Sequence, residues 1–218
     1  MIITIGRQLG SGGRNIGKKL SEAMKIAYYD REIIEITAKE SGLNKKFFED
    51  ADEKARTGFS TGILGMRLPF LSEGGIAYGG LSNEMLFQIQ SDVIRDLADK
   101  QSCVIIGRCA DYILRERNDC FSVFICANED DRIRRIIRYD DDKISVEKAR
   151  DLMARVDKKR ATFYNYYSNK TWGKASSYHV CLNSSVFGIN GTVLLLKEMV
   201  EKTGASGFDR TPLSYEHE

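Results

Sequence analysis

The sequence is poor in residues and patterns that mark several large classes of protein. It has two histidines, two prolines and one tryptophan among 218 residues. Because the histidines, His179 and His217, lie far apart, they build no zinc-ligand set and no Ser-His-Asp or Cys-His catalytic arrangement. The longest apolar runs, such as residues 103–106 and 193–196, are far shorter than the roughly 20 residues of a membrane-spanning helix. We therefore expect neither a zinc or triad enzyme nor a membrane protein.

Charge and cysteine usage point to an ordinary intracellular domain. Lys and Arg number 33 against 31 Asp and Glu, so net charge gives no indication of a nucleic-acid partner, and we expect none. The five cysteines are odd in number and lack C-x-x-C spacing. We expect them to be free structural thiols in a reducing compartment, and the protein to be cytoplasmic. The sequence carries no indication of the oligomeric state.

Glycine is plentiful, with 19 residues, and its distribution divides the chain. Short apolar segments alternate with helical stripes and predict strands at 2–5, 26–29, 103–106, 121–126 and 178–182. This alternation predicts an α/β fold with a parallel, doubly wound sheet. A glycine-rich excursion interrupts the pattern at about 43–82, a last helix is expected at 191–202, and the tail after Gly204 has little apolar content. We expect one domain over residues 1–204 and a mobile tail over 205–218.

The first strand leads into a glycine-rich turn and then into a helix. In such a turn, backbone N–H groups and a helix N-terminus converge on a phosphate group. The run Gly10-Ser11-Gly12-Gly13 lets the backbone approach a ligand without side-chain clashes. We interpret residues 10–15 as a phosphate-binding loop.

The loop departs from the strict pattern G-x-x-x-x-G-K-[ST], because Gly13 stands where the lysine is expected. Arg14 is the first candidate for the missing positive charge, since a guanidinium binds phosphate well, and Arg7 and Lys18 are further candidates. Asn15 offers magnesium an amide oxygen, directly or through water.

A dinucleotide-binding fingerprint is the rival interpretation of the same loop. Gly10-x-Gly12 followed by Asp30, at the end of the second predicted strand, has about the spacing of an acid that binds a ribose. The third glycine of that fingerprint is replaced by Asn15. The loop alone leaves both interpretations open.

Arginines farther along the chain favour phosphoryl transfer, which is catalysed by positioning and by neutralising phosphate charge. Arg132, Arg134, Arg135 and Arg138 recur within a short stretch, and Arg155 and Arg160 flank Asp157. A hydride-transfer enzyme has no evident use for them. The plainer alternative is a solvated helix whose arginines pair with neighbouring carboxylates.

Taken together, these residues resemble the cytidylate-kinase-like family, a branch of the P-loop nucleoside monophosphate kinases. The resemblance extends from Met1 to about Lys202. Its landmarks are the segments Ile3–Arg14, Tyr28–Glu32, Val104–Asp111, Asp157–Arg160 and Tyr164–Tyr167, the last followed by Trp172-Gly173.

The resemblance implies a P-loop NTPase-type sheet of five parallel strands wrapped by helices. It also implies an acceptor arm at about 43–82, a helical, arginine-bearing lid at about 129–172, and ATP and Mg²⁺ as cofactors. The residues implied for ATP binding are Gly10, Ser11, Gly12, Gly13, Arg14 and Asn15. Those implied for catalysis are Arg14, Arg132, Arg135 and Arg160. Those implied for acceptor binding are Asp30, Arg108 and Asp157, and those for magnesium are Asn15 and Asp30, directly or through water.

The leading hypothesis is an ATP-dependent kinase that acts on a small acceptor, with a nucleoside monophosphate such as CMP as first candidate. The missing lysine motivates an alternative, a nucleotide-binding module that senses or assists without catalysis. A nicotinamide-dependent oxidoreductase is the remaining alternative.

Overall fold

The computed structural model describes residues 1–30, 83–138 and 144–204. The predicted acceptor arm and tail therefore lie outside the described residues. Within them, the chain forms five strands, six α-helices and a short 3-10 helix at Ala175–Ser177. In chain order the elements are β1 (Ile2–Arg7), α1 (Gly13–Met24), β2 (Ala27–Tyr29), α2 (Asn83–Lys100), β3 (Cys103–Ile106), α3 (Ala110–Ile113), β4 (Cys120–Cys126), α4 (Glu129–Arg138), α5 (Val146–Ser168), β5 (Val180–Asn183) and α6 (Ser184–Gly204).

The five strands form one sheet in the order β2-β3-β1-β4-β5. All four neighbouring pairs are parallel. The central strand, β1, pairs with β3 through Ile5 opposite Ile106 and with β4 through Ile5 opposite Val123. The predicted five-stranded parallel sheet is confirmed.

Both faces of the sheet are covered, which explains why its strands are apolar without alternation. Successive residues of β3 point to opposite faces, as a strand's period of two requires. Cys103 and Ile105 pack in a cluster with α2 and α3 residues, whereas Val104 and Ile106 pack in a second cluster with residues of α1 and α6. Helices therefore wrap the sheet on both sides, as predicted.

Helices α4 and α5 share an apolar cluster of their own, made by Ile133, Ile136, Ala149, Leu152, Met153 and Val156. They are the described part of the segment predicted as an arginine-bearing lid. Ser145 begins α5 as a side-chain cap, since its Oγ accepts the N–H of Lys148. No described helix combines the length and the apolar character needed to cross a bilayer.

Parallel pairing brings the carboxyl ends of the strands to one edge of the sheet, where ligands bind in open α/β folds. The glycine loop follows β1 at this edge, and the turn Gly107–Cys109 follows β3. Helix α4 begins just after β4. These three segments form the candidate site.

Candidate functional site

The glycine loop leaves the N-terminus of α1 open to an anion. Gly10 and Gly12 have φ angles of 75° and 80°, a conformation in which side chains are strained. Gly12 is the N-cap of α1, no side chain caps it, and the first turn has no acidic residue. The N–H of Gly13 makes only a long contact of 3.4 Å with Ser11 Oγ. Uncapped amides and the positive end of the helix dipole together suit a phosphate.

Close packing explains why the loop needs these two glycines. A Cβ atom added to Gly10 would lie 2.7 Å from the carbonyl oxygen of Arg132 on α4. One added to Gly12 would lie 2.3 Å from Cδ1 of Ile189 on α6. A larger residue at position 10 would push the loop away from the α4 backbone, whereas one at position 12 would displace the tip of the Ile189 side chain and strain the backbone at its positive φ.

Asp157 fastens the loop to the α4–α5 pair. Its Oδ1 accepts the backbone N–H of Leu9 at 2.8 Å, and its Oδ2 is bonded by the guanidinium of Arg132. The same guanidinium donates from Nε to the carbonyl oxygen of Leu9 at 2.7 Å. Arg132 is only 8% exposed, so this ion pair is largely shielded from water. Two residues predicted for catalysis and acceptor binding thus contact the loop's own backbone.

Arg135 and Ser184 hold the next two carbonyl groups of the loop. Arg135 Nη1 donates to the carbonyl oxygen of Gly10 at 3.2 Å and to Ser184 Oγ at 3.0 Å. Ser184 Oγ donates in turn to the carbonyl oxygen of Ser11 at 2.6 Å. Ser184 is fully buried at the start of α6. Sequence reasoning missed it, because no local pattern reveals a contact between residues 173 positions apart.

These bonds orient the peptide groups of the loop. The structure has no cis peptide bond in the part it describes, and in a trans peptide the C=O and the following N–H point in opposite directions. Since the carbonyl groups of Leu9 and Ser11 point to Arg132 and Ser184, the amides of Gly10 and Gly12 point away from these donors. The neighbouring side chains therefore fix the conformation of the loop.

Arg160 adds positive charge beside the same loop. Its Nη1 donates to the carbonyl oxygen of Arg7 at 3.0 Å and lies 3.7 Å from Asp157 Oδ1. Burial lowers the pKa of Arg160 to about 10; Asp157 opposes that shift and the charge of Arg132 adds to it. Two guanidinium groups thus share one carboxylate, which favours an additional anion nearby.

Arg14 lies at the exposed mouth of the site and is bound to Asp30. Its Nη2 and Nε donate to Asp30 Oδ2 at 2.6 and 3.0 Å. The Arg14 side chain is 64% exposed, whereas that of Asp30 is 9% exposed. The sequence predicted both residues for the site but not their contact. Asn15 is exposed in the first turn of α1.

The residues predicted for magnesium, Asp30 and Asn15, offer one carboxylate and one amide oxygen. No group of three His, Cys, Asp or Glu side chains suited to a metal occurs in the described parts of the chain. Mg²⁺ commonly keeps several waters and binds through one or two protein oxygens plus substrate phosphates. The carboxylate of Asp30 and the amide of Asn15 suit that mode of binding, and they do not form an all-protein metal site.

The turn after β3 is strained where it carries Arg108. Gly107, Arg108 and Cys109 have φ angles of 71°, 61° and 55°. A left-handed conformation costs a non-glycine residue roughly 1–2 kcal/mol, and such strain is common at functional sites. The turn is held by bonds from Gly107 N–H to the carbonyl oxygen of Ile5 at 3.0 Å and from Gln90 Nε2 to that of Arg108 at 3.2 Å.

A half-buried carboxylate follows this turn. Asp111 accepts a hydrogen bond from Tyr164 Oη at 2.7 Å. Burial raises the pKa of Asp111, although the bond from Tyr164 opposes the shift. Tyr164 stacks on Tyr178, with ring centroids 5.7 Å apart, and is only 4% exposed. Tyr164, which begins one of the landmark segments of the resemblance, is thus packed in the interior.

Solved structures of known proteins share this fold. An uncharacterised protein from Eubacterium ventriosum has a similar structure, with a TM-score of 0.68 and 24% identity over 92% of this chain and 98% of its own. Shikimate kinase from Bacteroides thetaiotaomicron has a TM-score of 0.52 and 14% identity, covering 92% and 98% of the two chains. A search of curated proteins finds no match.

The likeness to shikimate kinase identifies the fold as that of the P-loop kinases, which confirms the predicted fold class. The family comparison covers most of the sequence, because the family model for cytidylate kinase-like proteins matches residues 2–186. The chain therefore belongs to the cytidylate kinase-like family.

Proposed function

We propose that the protein is an ATP-dependent phosphotransferase acting on a small acceptor, with a nucleoside monophosphate such as CMP as the first candidate. The observation that carries the proposal is the open N-terminus of α1, whose preceding loop has its carbonyl groups bonded by side chains of α4 and α6. Membership of a kinase-like family and the P-loop kinase fold support it.

The loop residues bind the triphosphate in this proposal. Amides of the segment Gly10 to Asn15 and the positive end of α1 hold the phosphate oxygens. ATP supplies the phosphoryl group, and the protein's contribution is positioning and charge neutralisation. The arginines predicted for catalysis in the loop and on α4 and α5 are Arg14, Arg132, Arg135 and Arg160.

These four arginines differ in what they bind. Arg132 and Arg135 donate to carbonyl groups of the loop, so they act by fixing its shape. Arg160 lies beside Asp157 and Arg7, and Arg14 lies at the exposed mouth. We assign Arg14 and Arg160 to the neutralisation of the migrating phosphoryl group. Asp30 and Asn15 would hold Mg²⁺ at the mouth through water.

The acceptor is bound between the ends of β2 and β3 in this proposal. Asp30 follows β2, Arg108 follows β3, and these two strands are neighbours in the sheet. A guanidinium suits an acceptor phosphate, and a carboxylate suits a hydroxyl or amino group. Asp157 contributes by holding Leu9, and through it the loop that faces the acceptor.

The test is ADP formation from ATP and Mg²⁺ across an acceptor panel of nucleoside monophosphates and shikimate. We expect acceptor-dependent ADP formation, and a fall in kcat of about 10²–10³-fold for Arg14→Ala and Arg160→Ala. Lys19→Ala is the matched control, because Lys19 is exposed on α1 and bonded to Asn190. Undiminished turnover in both arginine variants would refute the roles assigned to them.

A nucleotide-binding module without catalysis is the second candidate, and Gly13 at the lysine position favours it. Tight ATP binding with no transfer to any acceptor would identify that function. Heat protection by NAD but not by ATP would instead favour the dinucleotide interpretation of Gly10, Gly12 and Asp30.

A further inference from the structure

The glycine loop exchanges two residue types relative to the strict phosphate-binding pattern. When G-x-x-x-x-G-K-[ST] is laid on residues 7–14, the second glycine falls on Gly12. The pattern's first glycine then falls on Arg7, and its lysine falls on Gly13. Relative to the pattern, the chain lacks a cation at position 13 and carries one at position 7.

The two exchanged positions face each other in the structure. A Cβ atom added to Gly13 would lie 2.6 Å from Cβ of Arg7 and 3.1 Å from its Cγ. A lysine at position 13 cannot coexist with the Arg7 side chain in this place. Conversely, the glycine at 13 leaves the space through which the Arg7 side chain passes.

The guanidinium of Arg7 extends from there to the turn after β3. A Cβ atom added to Gly107 would lie 2.0 Å from Arg7 Nη1 and 3.1 Å from its Cζ. The side chain therefore runs from the end of β1, past the first residue of α1, to the strained turn that carries Arg108. It lies between the glycine loop, which binds ATP in the proposed function, and the turn Gly107–Cys109, which carries Arg108 for the acceptor.

Arg7 differs from the other arginines of the site in what surrounds its charge. Arg14 and Arg132 are bonded to carboxylates, and Arg160 to a carbonyl oxygen. Among the residues that the structure describes, the guanidinium of Arg7 makes no side-chain hydrogen bond. Burial lowers its pKa to about 9 and Arg160 adds to this, against the weaker effects of Tyr28 and Asp30. Because arginine keeps its proton, such a cation is stabilised by an anionic ligand.

We propose that Arg7 supplies the positive charge that lysine supplies in the strict pattern, binding the terminal phosphates of a nucleoside triphosphate at the N-terminus of α1. The proposal rests on the proposed function, since it concerns the same phosphate site. Arg14 remains at the mouth with Asp30, and Lys18 is exposed on the second turn of α1. Of the three candidate cations, Arg7 is the one whose side chain fills the space in front of the missing lysine's position.

Titration calorimetry with ATP, AMP and inorganic tripolyphosphate tests this role without measuring activity. We expect Arg7→Met to weaken ATP and tripolyphosphate binding by about 10- to 100-fold, the effect of losing a charge-assisted contact. AMP has no terminal phosphates, so its affinity should change little. Lys100→Met, which removes an exposed cation bonded to Asp96 on α2, is the control expected to bind like the unaltered protein.

Restoring the strict pattern provides the sharper comparison. Arg7→Gly should lose tripolyphosphate binding, and adding Gly13→Lys to it should recover most of that affinity, because the space beside position 13 is then empty. A purely structural role for Arg7 predicts no such recovery. Circular dichroism and urea midpoints establish that each variant is folded.

The possible failures point to different errors. If the unaltered protein binds neither ATP nor tripolyphosphate, the proposed function fails and the role of Arg7 fails with it. If ATP binds and the folded Arg7→Met and Arg7→Gly variants bind it equally tightly, the role of Arg7 alone is overturned.

Discussion

Replacing Asp157 with alanine tests whether the glycine loop is held in shape by the α4–α5 helix pair. The substitution removes the acceptor of the Leu9 N–H, which is bonded at 2.8 Å, and the partner of the Arg132 guanidinium. Arg132 would keep its bond to the Leu9 carbonyl oxygen but would have lost its counter-charge. The perturbation therefore acts on two largely buried cations, Arg132 and Arg160, and on one backbone amide.

The expected loss of stability follows from how well this ion pair is shielded. The Arg132 and Asp157 side chains are 10% and 15% exposed, and breaking a buried pair by removing one partner costs about 3–5 kcal/mol. The Leu9 N–H also loses its acceptor, but this bond belongs to the same network, so its cost is already included in the figure of about 3–5 kcal/mol. We expect the free energy of unfolding to fall by about 3–5 kcal/mol for Asp157→Ala. Asp157→Asn should cost less, because it keeps an oxygen that accepts from Leu9.

An exposed ion pair between the same two helices provides a matched control. Arg150 on α5 donates to Glu129 on α4 at 2.6 Å, but their side chains are 53% and 56% exposed. Exposed pairs contribute at most about 1 kcal/mol, so Glu129→Ala should have a small effect. Urea unfolding followed by far-ultraviolet circular dichroism and by the single tryptophan, Trp172, measures both variants. Equal losses for Asp157→Ala and Glu129→Ala would refute the argument that this contact braces the loop.

Three further predictions concern backbone strain, thiol reactivity and pH. Gly10→Ala should destabilise the protein by about 1–3 kcal/mol and abolish nucleotide binding. Gly188 also has a positive φ, 66°, but no atom lies within 4 Å of a Cβ added there, so Gly188→Ala should keep nucleotide binding. Urea midpoints compare the stability of the two variants, and calorimetry compares their nucleotide binding. Iodoacetamide should label the exposed Cys181 before Cys103, because burial raises the Cys103 pKa to about 12, and peptide mass spectrometry follows the order. Burial raises the pKa of Asp111 in the folded protein above its ordinary value of 3.8. The protonated carboxyl group therefore favours the folded state below pH 3.8, and this contribution to the free energy of unfolding is lost as the pH rises through the raised pKa. Asp111→Asn should flatten that dependence in urea midpoints measured upward from about pH 4, and an unchanged slope would contradict it.

The sheet and the loop were predictable because their signals are local. Apolar runs marked the strands, and the loop was marked by glycines between an apolar run and a helical stripe. Boundaries were less accurate where tertiary contacts decide them. The last strand was predicted at 178–182 but is Val180–Asn183, since Tyr178 packs in the aromatic cluster before the strand begins. The last helix was predicted at 191–202 but begins at Ser184, with an interruption at Gly188.

The contacts that shape the site were not predictable from the sequence. The bond from Ser184 to Ser11, the packing of Arg7 over Gly13 and the pairing of Arg14 with Asp30 each join residues on separate elements. The sequence identified Arg132 and Arg135 by their chemistry, but only the fold shows that they donate to carbonyl groups of the loop. Charge and residue type indicate what a side chain can bind, while its partner depends on how the elements pack.

Binding of ATP at the glycine loop is the central claim, and thermal unfolding of the full chain with Mg²⁺ tests it most directly. A ligand that binds only the folded state raises the unfolding midpoint in proportion to the logarithm of its concentration. ATP should raise the midpoint progressively, Gly10→Ala should abolish the rise, and NAD should leave the midpoint unchanged. An unchanged midpoint at millimolar ATP, or a rise with NAD alone, would contradict the account.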